Sequence, residues 1–509
     1  MRTEVDPRAS GAGPPGASAE KGGDRRFLRD AGAFVGASWV GQLVGTVRGF
    51  GVAAILSPER YGLFQLAMLA YEYARSSHLG TLHGMNKAVS RALGASDSES
   101  LHRSKDTAFT SAMGLAILTF ACLPIHAWLR PEATVAERLA VAGGLAASAV
   151  YRFFNFHVAL LRAGGRIPTA SGLYVAFNLL YGAAALLGAW LGGPVGVWLA
   201  FVGSYGVVGL VAFYLSPWKF RLRWDLDELA RLLRRGVPVV GVTFLGGVVA
   251  SIDKLLVGGF YGVAALGIYS LAKRAAGLAA SVAESVRWVT LPTFLEDAGA
   301  KCSGEQMRTR LLELCRWMSF LLPPLLATAA LVVGYPIRWY LPAYLDAVSP
   351  ARILLLGAGF FSLAGIPRSF LVALDREVSL VLAQIVVLAT VCGLATLAHR
   401  GGFGPSGVAM AAVVSQALYA SLVLAMAFRA TDWEWARVVR ATASLLLCPV
   451  LVMTTAALAL HLNGPAVGIP GFSAAVFGVW GVAALSAPRE LTELLRRGMT
   501  AFRVAPARR

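Results

Sequence analysis

Residues 48–67 read Arg-Gly-Phe-Gly-Val-Ala-Ala-Ile-Leu-Ser-Pro-Glu-Arg-Tyr-Gly-Leu-Phe-Gln-Leu-Ala. An apolar helix carrying the cation Arg48 breaks at Ser57–Pro58, and a second apolar helix starts at once. A similar layout returns 205 positions on, at residues 253–272. There an apolar run with Asp253 and Lys254 inside it breaks near Tyr261–Gly262, and Leu-Gly-Ile-Tyr-Ser-Leu-Ala follows. Without a gap, Gly62 falls on Gly267, Phe64 on Tyr269 and Ala67 on Ala272. Four identities in twenty prove little; the shared order of helix, internal charge, tight turn and aromatic-led helix counts for more. Internal repeats fix an architecture before other signals do, and paired repeats in a membrane chain suggest two related halves around a site.

The composition supports that setting. Of 509 residues, 57% are hydrophobic and 15% charged, against about 25% charged in soluble domains. Apolar runs of roughly twenty residues, enough to cross a bilayer, recur almost end to end. A β-barrel would alternate polar and apolar in short segments, and no such pattern appears. The reading is an all-α integral membrane protein of about fourteen transmembrane helices.

The net charge of +18 is concentrated in segments that hydropathy places on one side, so it reads as a topology signal and not as a nucleic-acid surface. An even number of spans puts both termini on that side, the cytoplasmic one, in the inner membrane of a bacterium. Residues 1–26 lack the apolar core of a signal peptide and read as a disordered cytoplasmic tail. The expected order is then an N-terminal lobe of six spans over 27–216 and a cytoplasmic linker helix over 217–236. A C-terminal lobe of six spans over 237–428, two further spans over 429–486 and a basic cytoplasmic tail over 487–509 complete it. The linker spaces its apolar residues at three and four over Trp224–Leu233, as an amphipathic surface helix does. The segment 80–106 reads as a second long basic loop.

Ionisable groups inside spans cost at least ~2.5–3.5 kcal/mol and tend to face a cavity or a partner. Cations dominate the set: Arg48, Arg75, Arg152, Lys254, Lys273 and Arg274 are the candidate ligands for an anionic group. Glu72, Asp253 and Glu284 are the candidate proton or sodium sites. Glu72 and Arg75 lie one turn apart and are placed to pair. Lys273, Gly277 and Glu284 share one stripe of their helix. Arginine suits phosphate oxygens because its planar fork donates two hydrogen bonds at once, so a diphosphate matches this cation excess. The scattered cysteines have no metal-ligand spacing, and no phosphate-cradling Gly-x-x-x-x-Gly-Lys-Ser/Thr loop occurs; neither a metal nor a cofactor is expected.

Leu56-Ser-Pro-Glu-Arg-Tyr-Gly-Leu-Phe64 resembles the Leu-Gly-Pro-Glu-Glu-Tyr-Gly-Leu-Phe turn of the polysaccharide-biosynthesis flippases. Ser251-Ile-Asp-Lys-Leu-Leu-Val-Gly and Leu266-Gly-Ile-Tyr-Ser-Leu-Ala resemble that family's second-half motifs. These are O-antigen-type flippases of the multidrug/oligosaccharidyl-lipid/polysaccharide exporter superfamily. The resemblance implies two six-helix lobes around a central cavity plus two C-terminal helices. It implies no enzymatic activity, but alternating access that carries a polyprenyl-diphosphate-linked oligosaccharide between leaflets. Membrane lipids and other polysaccharide-assembly proteins are the implied partners. Arg48 stands where related lipid II flippases have a cavity arginine, whereas Gly49 replaces the acidic residue that follows it there. A multidrug or organic-cation antiporter of the same fold is the alternative. An integral-membrane glycosyltransferase or polymerase is a further one; it would need Glu59, Glu132 and Glu137, on short external loops.

Overall fold

The computed structural model describes residues 36, 40–216, 218–299, 304–462 and 469–486. All regular structure there is helical. The first helices are α1 (Val40–Ile55), α2 (Pro58–Ala74), α3 (Thr81–Gly94), α4 (Ser98–Leu118) and α5 (Cys122–Leu129). Then come α6 (Val135–Ala163), α7 (Ile167–Leu215) and α8 (Leu226–Gly299). The rest are α9 (Gly304–Val332), α10 (Gly334–Tyr340), α11 (Val348–Leu363), α12 (Gly365–Ala373), α13 (Glu377–Arg400), α14 (Gly404–Arg429), α15 (Trp435–Leu462) and α16 (Ile469–Ser486).

Fourteen crossings arise from these pieces because two long helices each turn back on themselves. In α7 the reversal is at Gly193, with φ of 58°, and Pro194 starts the return arm. In α8 it is at Gly262, with φ of 85°. Both backbones sit in the left-handed region, which glycine enters without a side-chain clash. Elsewhere the turns are capped. Thr134 and Glu137 form a reciprocal capping box at the start of α6. Asp97 accepts the Ser100 N–H at 3.0 Å to start α4, and Pro58 sits in the first turn of α2 behind the N-cap Ser57. Each satisfies a donor that the helix start leaves free.

The crossings form two lobes around a central cavity, with α15 and α16 packed beside the second through α9. The lobes meet where α2 crosses α8. Gly62 and Gly267 bring the two backbones together there, since a Cβ on either would overlap a backbone carbonyl oxygen of the other helix. Beside this contact, Tyr344 Oη donates to the Leu56 carbonyl at 2.9 Å, and its ring stands edge-on to Tyr61. The cavity occupies the other half of the molecule, nearer the basic segments.

Those basic segments are more structured than hydropathy suggests. The stretch expected as an inner loop over 80–106 contains α3 and the start of α4. The amphipathic stretch expected over Trp224–Leu233 starts as helix at Leu226 and continues unbroken into the first arm of α8. Leu232 is fully buried against Leu82, Met85 and Phe156, so burial against α3 and α6 sets its position. Polar contacts pin the approach: Arg103 binds Asp225 through two hydrogen bonds of 2.6 and 3.0 Å, and Ser104 donates to Glu228 at 2.6 Å.

Candidate functional site

The central cavity has a volume of about 580 Å³ and takes its walls from α1, α2 and both arms of α8, with Asn178 of α7. Among the described residues, five cations line it (Arg48, Arg75, Lys254, Lys273, Arg274) and one carboxylate, Glu72. Helical spacing explains the convergence. Glu72 in the last turn of α2, and Arg75 and Ser76 just past its end, three and four residues on, face inward. On α8, Lys273, Arg274 and Gly277 do the same from the opposite lobe.

Two of the five cations are neutralised. Lys273 binds both carboxylate oxygens of Asp253, which also accepts from Tyr269 Oη at 2.9 Å. Asp253 is 1% exposed and sits behind Lys273 instead of lining the cavity. Lys254 Nζ lies 3.7 Å from Glu72. That contact joins the two lobes and takes the place of the Glu72–Arg75 pair that spacing suggests.

The three guanidiniums have no acidic partner among the described residues. Arg48 lies over the Tyr181 ring, 4.0 Å from its centroid, a contact that steadies the cation without consuming its charge. Its Nη1 is buried without a hydrogen-bond acceptor. Arg274 crosses from the second lobe to donate to the Gly45 carbonyl at 3.2 Å, and its Nε also lacks an acceptor. The space for Arg274 exists because residue 49 is glycine: a Cβ there would overlap the guanidinium. Thus the departure at Gly49 is the other half of an arginine brought in from α8, a pairing across 225 positions that no local motif reveals. Buried donors without acceptors in a low-dielectric cavity favour an anion that can accept from both.

Arg152 does not belong to this set. It is fully buried inside the first lobe and outside the cavity walls. Nη1 donates to the Ala112 carbonyl at 3.0 Å and Nη2 to the Ala74 carbonyl at 2.6 Å, with Ser77 Oγ also in reach. Its donors tie α6 to the end of α2 and to the body of α4, so the expected cavity role is corrected to a clamp between helices. Glu284 lies on α8, but its side chain is outside the described residues. Of the three carboxylates that an external catalytic site would use, two are engaged locally: Glu132 accepts from Arg130 at 2.8 Å, and Glu137 accepts the Thr134 N–H at 2.8 Å. Among the described residues no cluster of metal-ligating side chains occurs.

Fold and cavity together define a two-lobed, multi-pass helical membrane protein. The chain belongs to the family described as polysaccharide biosynthesis protein, whose profile matches residues 52–345. Its fold is similar to that of solved transporters. An inward-facing multidrug resistance MATE family transporter of the MOP superfamily aligns with a TM-score of 0.67 at 16% identity, covering 77% of this chain and 94% of that one. The lipid II flippase MurJ, in an inward closed conformation, aligns with a TM-score of 0.67 at 14% identity, covering 91% of this chain and 99% of that one. An outward-facing MATE structure aligns with a TM-score of 0.56 at 18% identity, covering 80% and 95%. None of the curated proteins searched matches this chain.

Proposed function

We propose that the protein is a non-enzymatic flippase that carries a polyprenyl-diphosphate-linked oligosaccharide from the inner to the outer leaflet of the bacterial cytoplasmic membrane, for surface polysaccharide assembly. The observation that carries this reading is the inter-lobe cavity with three unneutralised guanidiniums, Arg48, Arg75 and Arg274, contributed by both lobes. A diphosphate supplies acceptors for the buried Arg48 and Arg274 donors, and the cavity around them is polar enough for the first sugars. A cavity for organic cations would show the opposite excess of charge.

Membership of a polysaccharide biosynthesis family and a fold shared with a lipid II flippase support the substrate class. The geometry supports alternating access. The lobes touch at Gly62 and Gly267 on one side of the cavity, so release on that side requires them to part. Because cations hold the head group from both lobes, its arrival draws the lobes together around it and its departure lets them separate. Glu72 and Asp253, each bound to a lysine of the cavity wall, are the groups through which an ion gradient would act; protonating either one frees its lysine for the substrate.

The test is flipping of a fluorescent undecaprenyl-diphosphate disaccharide in proteoliposomes. Wild type should move the lipid faster than empty vesicles. Arg48→Ala and Arg274→Ala should each slow it by about 10- to 150-fold, the loss expected for charge-assisted hydrogen bonds of ~1.5–3 kcal/mol. Flipping at wild-type rates by both variants would remove the anion site.

A further inference from the structure

A second cavity, of about 360 Å³, lies between the lobes beside the first. Its walls are Leu66, Leu69 and Ala70 of α2, Val141 of α6, and Leu255 and Gly259 of α8. Tyr73 and Lys254 line both cavities. Helix α2 therefore divides its surface: Gln65, Glu72 and Arg75 face the cationic cavity, while Leu66, Leu69 and Ala70, on the neighbouring face, line the apolar crevice.

From this continuity we infer that the crevice holds the hydrocarbon chain of the lipid whose phosphates occupy the cationic cavity; the inference rests on the flippase reading above. A polar head enclosed between two lobes must send its chain out sideways, through a gap between those lobes. The crevice is such a gap and starts at a cavity cation, Lys254. The walls disfavour an extended polypeptide, whose N–H and C=O groups would meet mostly aliphatic side chains along the crevice, a costly loss of hydrogen bonds, and a helix is wider than a single hydrocarbon chain. The polar groups at the far rim are already used, Arg130 by Glu132 and Glu137 by Thr134. A prenyl or acyl chain has no such groups to satisfy.

The partition between the two cavities suits a gate. It consists of the Tyr73–Ser251 hydrogen bond at 3.1 Å and the Glu72–Lys254 ion pair at 3.7 Å, both of which cross from one lobe to the other. At that separation the ion pair is beyond good hydrogen-bond length. Lys254 can exchange Glu72 for a phosphate oxygen, and the link between the lobes then opens as the chain is admitted.

Gly259 allows a direct test, because a Cβ there meets no atom within 4 Å. Gly259→Trp fills the crevice, and Gly259→Ala is the control that leaves it open. Binding of undecaprenyl diphosphate and of geranyl diphosphate is measured in nanodiscs. With each affinity referred to the ligand partitioned into the lipid, wild type and Gly259→Ala should prefer the long chain by at least about tenfold, since only that chain packs along the crevice walls. Gly259→Trp should lose that preference while keeping its affinity for geranyl diphosphate. A long-chain preference that survives in Gly259→Trp overturns the crevice assignment and leaves the anion site standing. Failure of wild type to bind either diphosphate overturns the anion site, and the crevice assignment with it. Should Gly259→Trp lose the short ligand too, a diazirine-tailed prenyl diphosphate on wild type decides. Adducts on Leu66, Leu69 or Val141 support the crevice, and adducts confined to other helices overturn it.

Discussion

Gly62 and Gly267 make the same contact twice. Gly62 packs against the carbonyl oxygen of Val263, and Gly267 packs against the carbonyl oxygen of Pro58. In the repeat register that sets Gly62 on Gly267, Pro58 falls on Val263. Each half thus offers the other the same pair of positions, as two subunits do across a two-fold axis. A pseudo-two-fold axis passes between these glycines, and the repeat visible in sequence is the lobe interface itself.

Because both contacts are with backbone, neither helix can give way by a rotamer change. Gly267→Ala should therefore force the lobes apart there, at about 1–3 kcal/mol for an overpacked contact, enough to raise the separated population about 5- to 150-fold. A cysteine at Tyr61, which is fully buried beside the contact, reports this. In a cysteine-free background its labelling by a membrane-impermeant maleimide should rise with Gly267→Ala. Unchanged labelling would mean that the helices absorb the methyl group locally.

Arg152 and Arg48 should separate stability from binding. Arg152→Met removes charge-assisted hydrogen bonds that clamp three helices and should lower stability by about 1.5–3 kcal/mol, with affinity for a soluble diphosphate held within about twofold. Arg48→Met should do the reverse, because Nη1 of Arg48 has no acceptor to lose. Thermal unfolding in detergent and isothermal titration on the same preparations check both. A large loss of diphosphate affinity in Arg152→Met would return that residue to the cavity.

Asp253 and Lys273 present a different balance. Removing one partner of a buried pair strands the other charge, at about 3–5 kcal/mol. Asp253→Asn should accordingly lower the thermal midpoint sharply, and the double variant Asp253→Asn/Lys273→Met should recover most of the loss. Tyr269, whose hydroxyl also binds Asp253, keeps an acceptor in the asparagine. Equal destabilisation by the single and double variants would show that the ammonium finds another anion.

The contrast among these cations explains what was legible in the sequence. Hydropathy gives a residue's depth in the membrane, and helical spacing gives its face. That sufficed for the fourteen crossings, the breaks at Ser57–Pro58 and Gly262, and the inward faces of Arg75 and Lys273. It does not say what the face meets. Arg152 lies inside a span as the cavity cations do, but its face meets the Ala74 carbonyl at the end of α2 and the Ala112 carbonyl within α4. Glu72 is spaced to meet Arg75 and instead meets Lys254 from the other lobe, a distance of 182 positions in the chain. Gly49, where related flippases have an acidic residue, makes room for the Arg274 guanidinium. In each case the deciding partner lies on another helix.

The docked approach to α8 should carry its own pH signature. Arg103 grips Asp225 through two hydrogen bonds, and the Glu228 backbone N–H donates to the same carboxylate. With the Arg103 hydrogen bonds as the main cause, the Asp225 carboxyl titrates at about 2, below the ordinary aspartate value of about 3.9. A folded-state value below the unfolded one stabilises the fold above pH ~3.9, and the contribution fades as pH falls toward ~2. Unfolding midpoints measured from pH 6 down to pH 2 should therefore fall more steeply for wild type than for Asp225→Asn below pH ~4. Above that range the variant should be the less stable of the two by a constant margin. Added salt should narrow that margin, since the pair lies near solvent where ions screen it. Parallel pH curves would show that Leu232 and its apolar neighbours hold this segment without the ion pair.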